Sequence, residues 1–410
     1  MNRRQAMLLS LIALVGLSAY WVRLSTQNFY LVRQSPSRPT VELWASTSAF
    51  YTLAEQFQRE HADVSVKVRL FANPDVLLHE LSAADSAGTP PDLAEIGADF
   101  GIASFVERGH IAELTDRLPE RLRDDFLPGI ASRFQMESQY WAMPVGFSLP
   151  VLYYNQSLLS SNRFALGGEL TWEELWTKSR QLMDKVHQTS GSIWGFHTDA
   201  RTPAYLLAMH PGLLDRAGEA HTGGPEGPLK PQDAPLWMSA VRTHALIPPL
   251  THQRAAGQFV QGQGAVLLSF SDKYMSYMKL IAERFELGVR ELPYTEDGRQ
   301  PAYSPGGTGL MLFKSDPEQE NRALSFLRYA AEPASSVALS LESGYAPARR
   351  SVLAGTELQQ ASAFRAVLPL LLRGGEQGHV RPASPYDQAL WQRLLELQEG
   401  MEIGQLMESP

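Results

Sequence analysis

The strongest constraint on the fold of this chain is a regular alternation of strand and helix patterns. In order along the chain these are a strand over 41–45, a helix over 50–57, a strand over 64–70, a helix opened by Asn73 and Pro74, and a strand over 93–96. Strands and helices that alternate at this short spacing indicate an α/β fold with a mostly parallel sheet and helices on its faces.

A second α/β region follows the first. Thr171 and Glu174 have the spacing of a capping box, which predicts the start of a helix. The Gly- and Pro-rich stretch 218–235 predicts a surface loop, and strand patterns return at 287–292 and 310–313. Because a chain of 410 residues exceeds the size of one ordinary core, we predict two lobes.

The first 39 residues predict export and then a linker. Arg3 and Arg4 precede a largely apolar run over 6–22, which is the order of a signal peptide. The run is also close to the length of a membrane helix, and no clear small-residue cleavage motif follows it. A cleaved signal peptide and an uncleaved membrane anchor therefore both stay open. Residues 25–39 show no period and contain two prolines, which indicates a linker.

Charge and residue types exclude several classes of function. The net charge of -8, without a block of Lys and Arg, argues against a nucleic-acid partner. The chain has no cysteine, so it has no disulfide, no thiolate metal site and no lipid-modified cysteine. It carries no HExxH, GxSxG or Walker motif, so we predict no catalytic residue, no bound metal and no cofactor.

Five short motifs occur in a set order along the chain. They are Pro144-Val-Gly-Phe-Ser-Leu-Pro-Val-Leu-Tyr-Tyr-Asn155, Leu170-Thr-Trp-Glu-Glu-Leu175, Phe259-Val-Gln-Gly-Gln-Gly-Ala-Val266, Ser304 to Leu310, and Ser343-Gly-Tyr-Ala-Pro347. In this order they resemble the bacterial extracellular solute-binding proteins (family 1) of ABC importers, in particular the carbohydrate and glycerol-3-phosphate group. The resemblance covers most of residues 40–395.

The resemblance implies a two-lobed periplasmic-binding-protein fold, type II-like, with the ligand in the interlobe cleft. The implied bounds are a signal peptide or anchor plus linker at 1–39, an N-terminal lobe at 40–148 and 295–331, a C-terminal lobe at 149–294 and 332–400, and a tail at 401–410. The implied partners are a small-molecule solute and the permease subunits of an ABC importer. The implied state is an exported, periplasmic or extracytoplasmic monomer.

The resemblance also implies eight ligand-binding residues at strand ends and crossing segments. They are Trp44, Asp99, Phe100, Ser148, Ser269, Gly306, Tyr345 and Arg381. Aromatic faces suit the C–H surface of a sugar, while Asp, Ser and main-chain groups suit its hydroxyls. The planar fork of Arg381 suits phosphate, carboxylate or neighbouring hydroxyls.

Five of these residues also have a purely structural interpretation. Trp44 also suits the core, Asp99 a helix cap, Ser148 and Gly306 turns, and Arg381 the surface. Ser271 is the alternative to Ser269 at the same strand end, and the loop with Trp194, His197, Asp199 and Arg201 is a further candidate for ligand contact.

The implied function is capture of a sugar or sugar-like polar solute by hinge closure. An oligosaccharide or disaccharide ranks first, because the chain lacks the paired tryptophans of the glycerol-3-phosphate relatives, so glycerol-3-phosphate or a diester ranks second. Two alternatives stay open. One is a membrane-tethered solute sensor, and the other is a glycoside-processing enzyme whose carboxylates converge only in the folded chain.

Overall fold

A computed structural model describes residues 29–30, 39–98, 102–189, 191–210, 213, 230–295, 306–377 and 387–408. The strands are β1 Phe29–Tyr30, β2 Thr40–Ala45, β3 Ser65–Leu70, β4 Leu93–Gly97, β5 Gln135–Met136, β6 Gln139–Tyr140, β7 Met143–Ser148, β8 Pro150–Asn155, β9 Trp194–Thr198, β10 Gly264–Phe270, β11 Leu287–Arg290, β12 Gly306–Leu312 and β13 Ala346–Pro347. They form two main sheets and one hairpin, β5–β6.

Helices cover both main sheets. They are α1 Ala49–Glu60, α2 Pro74–Ser86, α3 Ala103–Arg108, α4 Glu120–Arg123, α5 Pro128–Ala131, α6 Gln156–Ser161, α7 Trp172–Thr189, α8 Pro203–Met209, α9 Pro235–Met238, α10 His252–Val260, α11 Tyr274–Ile281, α12 Pro317–Ala330, α13 Pro333–Ser343, α14 Arg350–Leu353, α15 Thr356–Gln360, α16 Leu368–Gln377 and α17 Asp387–Glu408. No helix in the described part of the chain is long and apolar enough to cross a membrane.

The first sheet has the strand order β1-β3-β2-β4-β12-β7-β13. Its strands β2, β3 and β4 are parallel, as the alternation of patterns predicts. The predicted start of α2 is confirmed, because the Asn73 side chain accepts a hydrogen bond from the Val76 N–H at 2.9 Å and Pro74 is the first helical residue. This sheet and its helices form the first lobe.

The second sheet has the order β11-β8-β10-β9, and with its helices it forms the second lobe. The predicted capping box is confirmed at the start of α7. The Thr171 N–H donates to a Glu174 carboxylate oxygen at 2.9 Å, and the Glu174 N–H donates to the Thr171 hydroxyl at 3.2 Å. Trp172, Trp176 and Phe196 then fill the core of this lobe, with ring centres 4.8 Å apart for Trp176 and Phe196.

The prediction of mostly parallel sheets is wrong, because both sheets are mixed. In the first sheet β12 runs antiparallel to β4 and β7, and in the second sheet β8 runs antiparallel to β10 and β11. The reason is the path of the chain. β8 and β12 begin at the crossing between the lobes, whereas β4 and β10 end there, so the two kinds of strand run in opposite directions.

The predicted lobe bounds stay a prediction, but one segment lies differently from its implied place. Residues 332–400 were assigned to the second lobe, whereas β13 pairs with β7 of the first sheet and α13 packs against α1. The chain therefore stays in the first lobe from β12 through β13. Only its last described helix, α17, contributes to the core of the second lobe, through Leu394, Leu397 and Met401.

Candidate functional site

The first crossing between the lobes is a single residue, Leu149, between β7 and β8. It is fastened to the end of β10 by two reciprocal hydrogen bonds. The Leu149 N–H donates to the Ser271 hydroxyl at 3.0 Å, and the Ser271 N–H donates to the Leu149 carbonyl oxygen at 2.9 Å. The crossing and the carboxyl end of β10 are therefore held as one unit.

Two glycines of the first lobe, Gly306 and Gly344, allow their segments to approach this unit closely. A Cβ on Gly306 would lie 2.8 Å from the Ser148 hydroxyl, so β12 enters the first sheet directly beside the end of β7. A Cβ on Gly344 would lie 2.3 Å from the Asp272 carbonyl oxygen, and Gly344 has a φ of 84°. A side chain at Gly344 would clash with main-chain atoms and would need the left-handed conformation that glycine favours, whereas a side chain at Gly306 would require the Ser148 hydroxyl to move.

The second sheet places a carboxylate and three hydroxyls at its crossing edge. Asp199 directly follows β9, and it accepts hydrogen bonds from Tyr205 at 2.6 Å, Ser269 at 2.6 Å and Tyr277 at 2.7 Å. Because these donors come from α8, β10 and α11, the Asp199 side chain ties three elements together. The Phe270 ring lies 5.4 Å from the Tyr205 ring and gives the cluster an aromatic wall.

A second carboxylate, Asp272, lies between the two lobes. Its side chain is only 9% exposed, and Gly344 of the first lobe packs so close to its main chain that a Cβ there would lie 2.3 Å from the Asp272 carbonyl oxygen. Burial raises the pKa of Asp272, the nearby Lys273 ammonium group opposes that rise, and the Asp199 charge adds to it. The Lys273 Nζ lies 3.5 Å from the Asp272 carboxylate.

The first sheet presents a third carboxylate, Glu95 of β4, at the corresponding edge. It is 4% exposed and accepts hydrogen bonds from the loop that joins β2 to α1 and from Thr308 of β12. The main-chain N–H groups of Ser46 and Thr47 donate to it at 2.6 and 2.9 Å. This strand end is therefore organised around a buried negative charge.

Four of the eight predicted ligand residues lie at the crossing edges that these clusters define. Ser148 ends β7 and pairs with Gly306 of β12, and the Ser269 hydroxyl donates to Asp199. The half-buried Tyr345 follows Gly344, and its Cβ lies against Gly146 of β7. The alternative residue Ser271 fastens the first crossing.

The ring of Trp44 is packed, whereas the sequence predicts a ring that is open to a solute. It is 6% exposed, its indole N–H donates to Glu42 at 2.8 Å, and the Arg69 guanidinium lies 4.3 Å from its ring centre. The structure favours the alternative interpretation of a packed core tryptophan. Ser48 at the start of α1 makes no side-chain capping bond. Asp99, Phe100 and Arg381 lie outside the described residues.

Two of the three carboxylates were not singled out from the sequence. A carboxylate within the apolar strand Leu93–Gly97 was the available signal for Glu95, because an ionisable residue in a buried strand needs partners. Asp272 had no such signal, since it follows β10 as an ordinary loop residue. Asp199 had been noted only as a member of a polar loop.

Two α/β lobes that meet at short crossings, with polar side chains of both sheets at the junction, define the class of two-lobed binding proteins. The comparisons with known proteins agree. The chain belongs to the bacterial extracellular solute-binding protein family, whose model matches residues 52–366. The resemblance drawn from the five motifs is thereby confirmed.

Individual relatives are distant in sequence but similar in length and fold. A putative binding protein of Brucella abortus is 23% identical over 285 residues, which is 68% of each chain. The sn-glycerol-3-phosphate-binding periplasmic protein UgpB of Agrobacterium fabrum is 22% identical over 79% of this chain and 77% of its own. The GacH receptor of Streptomyces glaucescens, solved unliganded and with acarbose, superposes with a TM-score of 0.72 at 17% identity over 90% of this chain and 94% of its own.

Proposed function

We propose that this chain is the extracytoplasmic substrate-binding component of an ABC importer and that it binds a sugar or sugar-like solute without changing it chemically. The observation that carries the proposal is that Ser148, at the end of the first sheet, adjoins Leu149, which is hydrogen-bonded in both directions to Ser271 at the end of the second sheet. Polar groups of both lobes therefore meet where a solute would bridge them. The family, which consists of solute-binding proteins, supports binding over catalysis.

The chemistry of the junction supports a neutral, hydroxyl-rich solute. Carboxylates accept hydrogen bonds from sugar hydroxyls, and aromatic rings such as Phe270 and Tyr345 suit the C–H face of a sugar ring. Asp199, Asp272 and Glu95 all bring negative charge to this region, which disfavours a phosphate group. A saccharide therefore ranks above glycerol-3-phosphate or its diesters, although one relative is named for glycerol-3-phosphate.

The proposed ligand residues come from both lobes. Ser148 and Gly306 belong to the first sheet, Ser269 belongs to the second sheet, and Tyr345 lies between α13 and β13 of the first lobe. We add Asp199 on the basis of its hydrogen bonds, and Asp272 because it lies at the junction against Gly344. The predictions for Asp99, Phe100 and Arg381 stand unchanged beside them.

We further propose that the protein acts outside the cytoplasmic membrane as a monomer that docks on permease subunits. The family description supports an extracytoplasmic location. The apolar run at 6–22 is either a cleaved signal or an anchor, and the mass of the mature chain decides between them. Stimulation of ATP hydrolysis by the reconstituted importer, seen only with solute-loaded protein, is the expected sign of the partnership.

A thermal-shift panel of sugars, polyols, sugar phosphates and cationic amines tests the proposal. A solute that binds only the folded protein stabilises it by about 2.7 kcal/mol at a hundredfold excess over Kd. We expect a rise in the melting temperature with at least one saccharide. A panel in which only cationic amines raise the melting temperature would contradict the proposed solute class.

A further inference from the structure

The buried carboxylate of Glu95 has five hydrogen-bond donors around it. Oε2 accepts from the Ser46 N–H at 2.6 Å, the Ser46 hydroxyl at 3.1 Å and the Thr47 N–H at 2.9 Å. Oε1 accepts from the Thr47 hydroxyl at 2.6 Å and the Thr308 hydroxyl at 2.8 Å. All five groups are donors, so the pocket around Glu95 is built for an anion.

The same pocket has the geometry that proteins use to bind anionic ligands. Two consecutive N–H groups, of Ser46 and Thr47, point at one oxygen, which is an anion-binding nest. The nest directly precedes α1, a 12-residue helix whose positive end attracts negative charge. Helix α1 has no acidic residue in its first turn, so the complementary charge comes from Glu95 on another element.

The pocket lies at the edge of the sheet that faces the crossing. Thr308 is two residues beyond Gly306, where β12 enters the first sheet, and it pairs with Gly97 at the end of β4. The loop after β2 is therefore connected through Glu95 to β12, the strand that enters the first sheet beside the end of β7. In this loop the N–H groups of Ser46 and Thr47 already donate to Glu95, so a solute held between the lobes would find them occupied.

We propose that Glu95 is a built-in anion, which occupies the anion-binding position of the first lobe and makes the cleft select uncharged solutes over phosphate or carboxylate solutes. This inference rests on the proposed function and narrows its solute class. An anionic solute would compete with Glu95 for the same donors and would be repelled by its charge. Glu95 is thus a specificity-determining residue that acts through the Ser46–Thr47 loop.

Asp85 provides a matched control for a purely structural role. It is also a buried carboxylate, 1% exposed, and it lies on α2, where it pairs with Arg108 at 3.1 Å and His110 at 2.7 Å. Its partners are side chains and include no main-chain nest. Loss of either carboxylate lowers stability, but only the loss of Glu95 opens an anion site.

The first experiment compares Glu95→Ala, Asp85→Ala and the wild type without any solute. Melting temperatures are measured in sodium formate and in sodium chloride at equal ionic strength. We expect formate to raise the melting temperature of Glu95→Ala alone, because formate re-enters the vacated nest. An equal response of all three proteins to formate would overturn the proposal.

The second experiment uses the milder variants Glu95→Gln and Asp85→Asn. It tests the proposal even if Glu95→Ala does not fold. Calorimetry measures Kd for a neutral sugar that the wild type binds and for the phosphate monoester of that sugar. We expect the wild type to prefer the neutral sugar and Glu95→Gln to lower that preference by about tenfold. Asp85→Asn should leave the ratio of the two affinities unchanged.

The outcomes separate the two proposals. A wild type that prefers the phosphate monoester, or a ratio that Glu95→Gln leaves unchanged, overturns the role of Glu95 while the proposed function stands. A wild type that binds no sugar or ester contradicts the proposed function, and the formate experiment then decides by itself whether the pocket of Glu95 is an anion site.

Discussion

At the scale of single residues, the site depends on buried carboxylates that are surrounded by donors. A charge that is removed from water is costly unless hydrogen bonds replace its hydration, and the half-buried Asp199 receives three of them from Tyr205, Ser269 and Tyr277. Each hydroxyl is held in turn by the carboxylate. The removal of one donor therefore both weakens a charged hydrogen bond and loosens the element that carries the donor.

The variant Tyr277→Phe should lower the free energy of unfolding by about 1.5 to 3 kcal/mol, because its hydroxyl donates to a charged acceptor. Urea unfolding followed by circular dichroism measures the change. Tyr274→Phe, on the same helix but outside the Asp199 cluster, serves as the control and should cost less than about 0.5 kcal/mol. Equal losses for the two variants would show that the Asp199 hydrogen bond adds nothing.

Two buried histidines predict that the second lobe is acid-sensitive. Burial lowers the pKa of His197 to about 4 and that of His210 to about 4, below the usual value of 6.5. Between about pH 4 and pH 6.5 the unfolded chain therefore binds more protons than the folded chain. The resulting stability is fully present above pH 6.5 and is lost as the pH falls towards 4, by up to about 3 kcal/mol for each histidine.

The measurement is urea unfolding at pH 7.5, 5.5 and 4.5 for the wild type and two variants. His197→Leu should remove about half of the dependence on pH in this range, because His210 remains. His187→Gln, a change at an exposed position, should leave it as in the wild type. If His197→Leu keeps the full slope, His197 does not carry the effect.

At the scale of elements, the crossings depend on close contact between β-strands and loops of the two lobes. Gly344 follows α13 in the left-handed conformation, and a Cβ there would lie 2.3 Å from the Asp272 carbonyl oxygen. A side chain at this position would therefore meet both backbone strain and a steric clash. Gly88 after α2 has the same kind of conformation, with a φ of 71°, but a Cβ there would meet no atom within 4 Å. A comparison of substitutions at the two glycines therefore separates the cost of backbone strain from the cost of a steric clash.

We expect Gly88→Ala to cost about 1 kcal/mol from left-handed strain alone. Gly344→Ala should cost more than that, because its new methyl group would also clash with the Asp272 carbonyl oxygen. It should also weaken solute binding, whereas Gly88→Ala should leave the affinity unchanged. Denaturant unfolding measures the loss of stability, and calorimetry measures the loss of affinity. Equal losses in the two variants would show that the contact between Gly344 and Asp272 contributes nothing.

At the scale of the whole molecule, two sheets joined by short crossings permit closure around a solute. A solute that touches both lobes binds the closed form better, and a differential affinity of about 5.5 kcal/mol inverts a 1:99 population. We therefore expect small-angle scattering to give a smaller radius of gyration with a bound solute than without it. A non-binding sugar from the same panel is the control, and an unchanged radius at saturation would rule out hinge closure as the mode of capture.

Local patterns in the sequence were sufficient for the α/β class and for several element boundaries. The alternation after residue 39, the cap at Asn73 and the capping box at Thr171 all depend on interactions within a few residues, so a linear pattern contains them. The order of five motifs was sufficient for the family, because the first spans the crossing at Leu149 and the others mark element boundaries in both lobes.

Only the tertiary structure decided the strand directions and the polar clusters. A strand pattern is the same in both directions, so the antiparallel return of β8 and β12 depends on where the chain crosses between lobes. Trp44 turned out to be packed because Arg69, a residue of the neighbouring strand, covers its ring. Glu95 and Thr308 are 213 residues apart in the chain, and only the pairing of β4 with β12 brings them into hydrogen-bond contact.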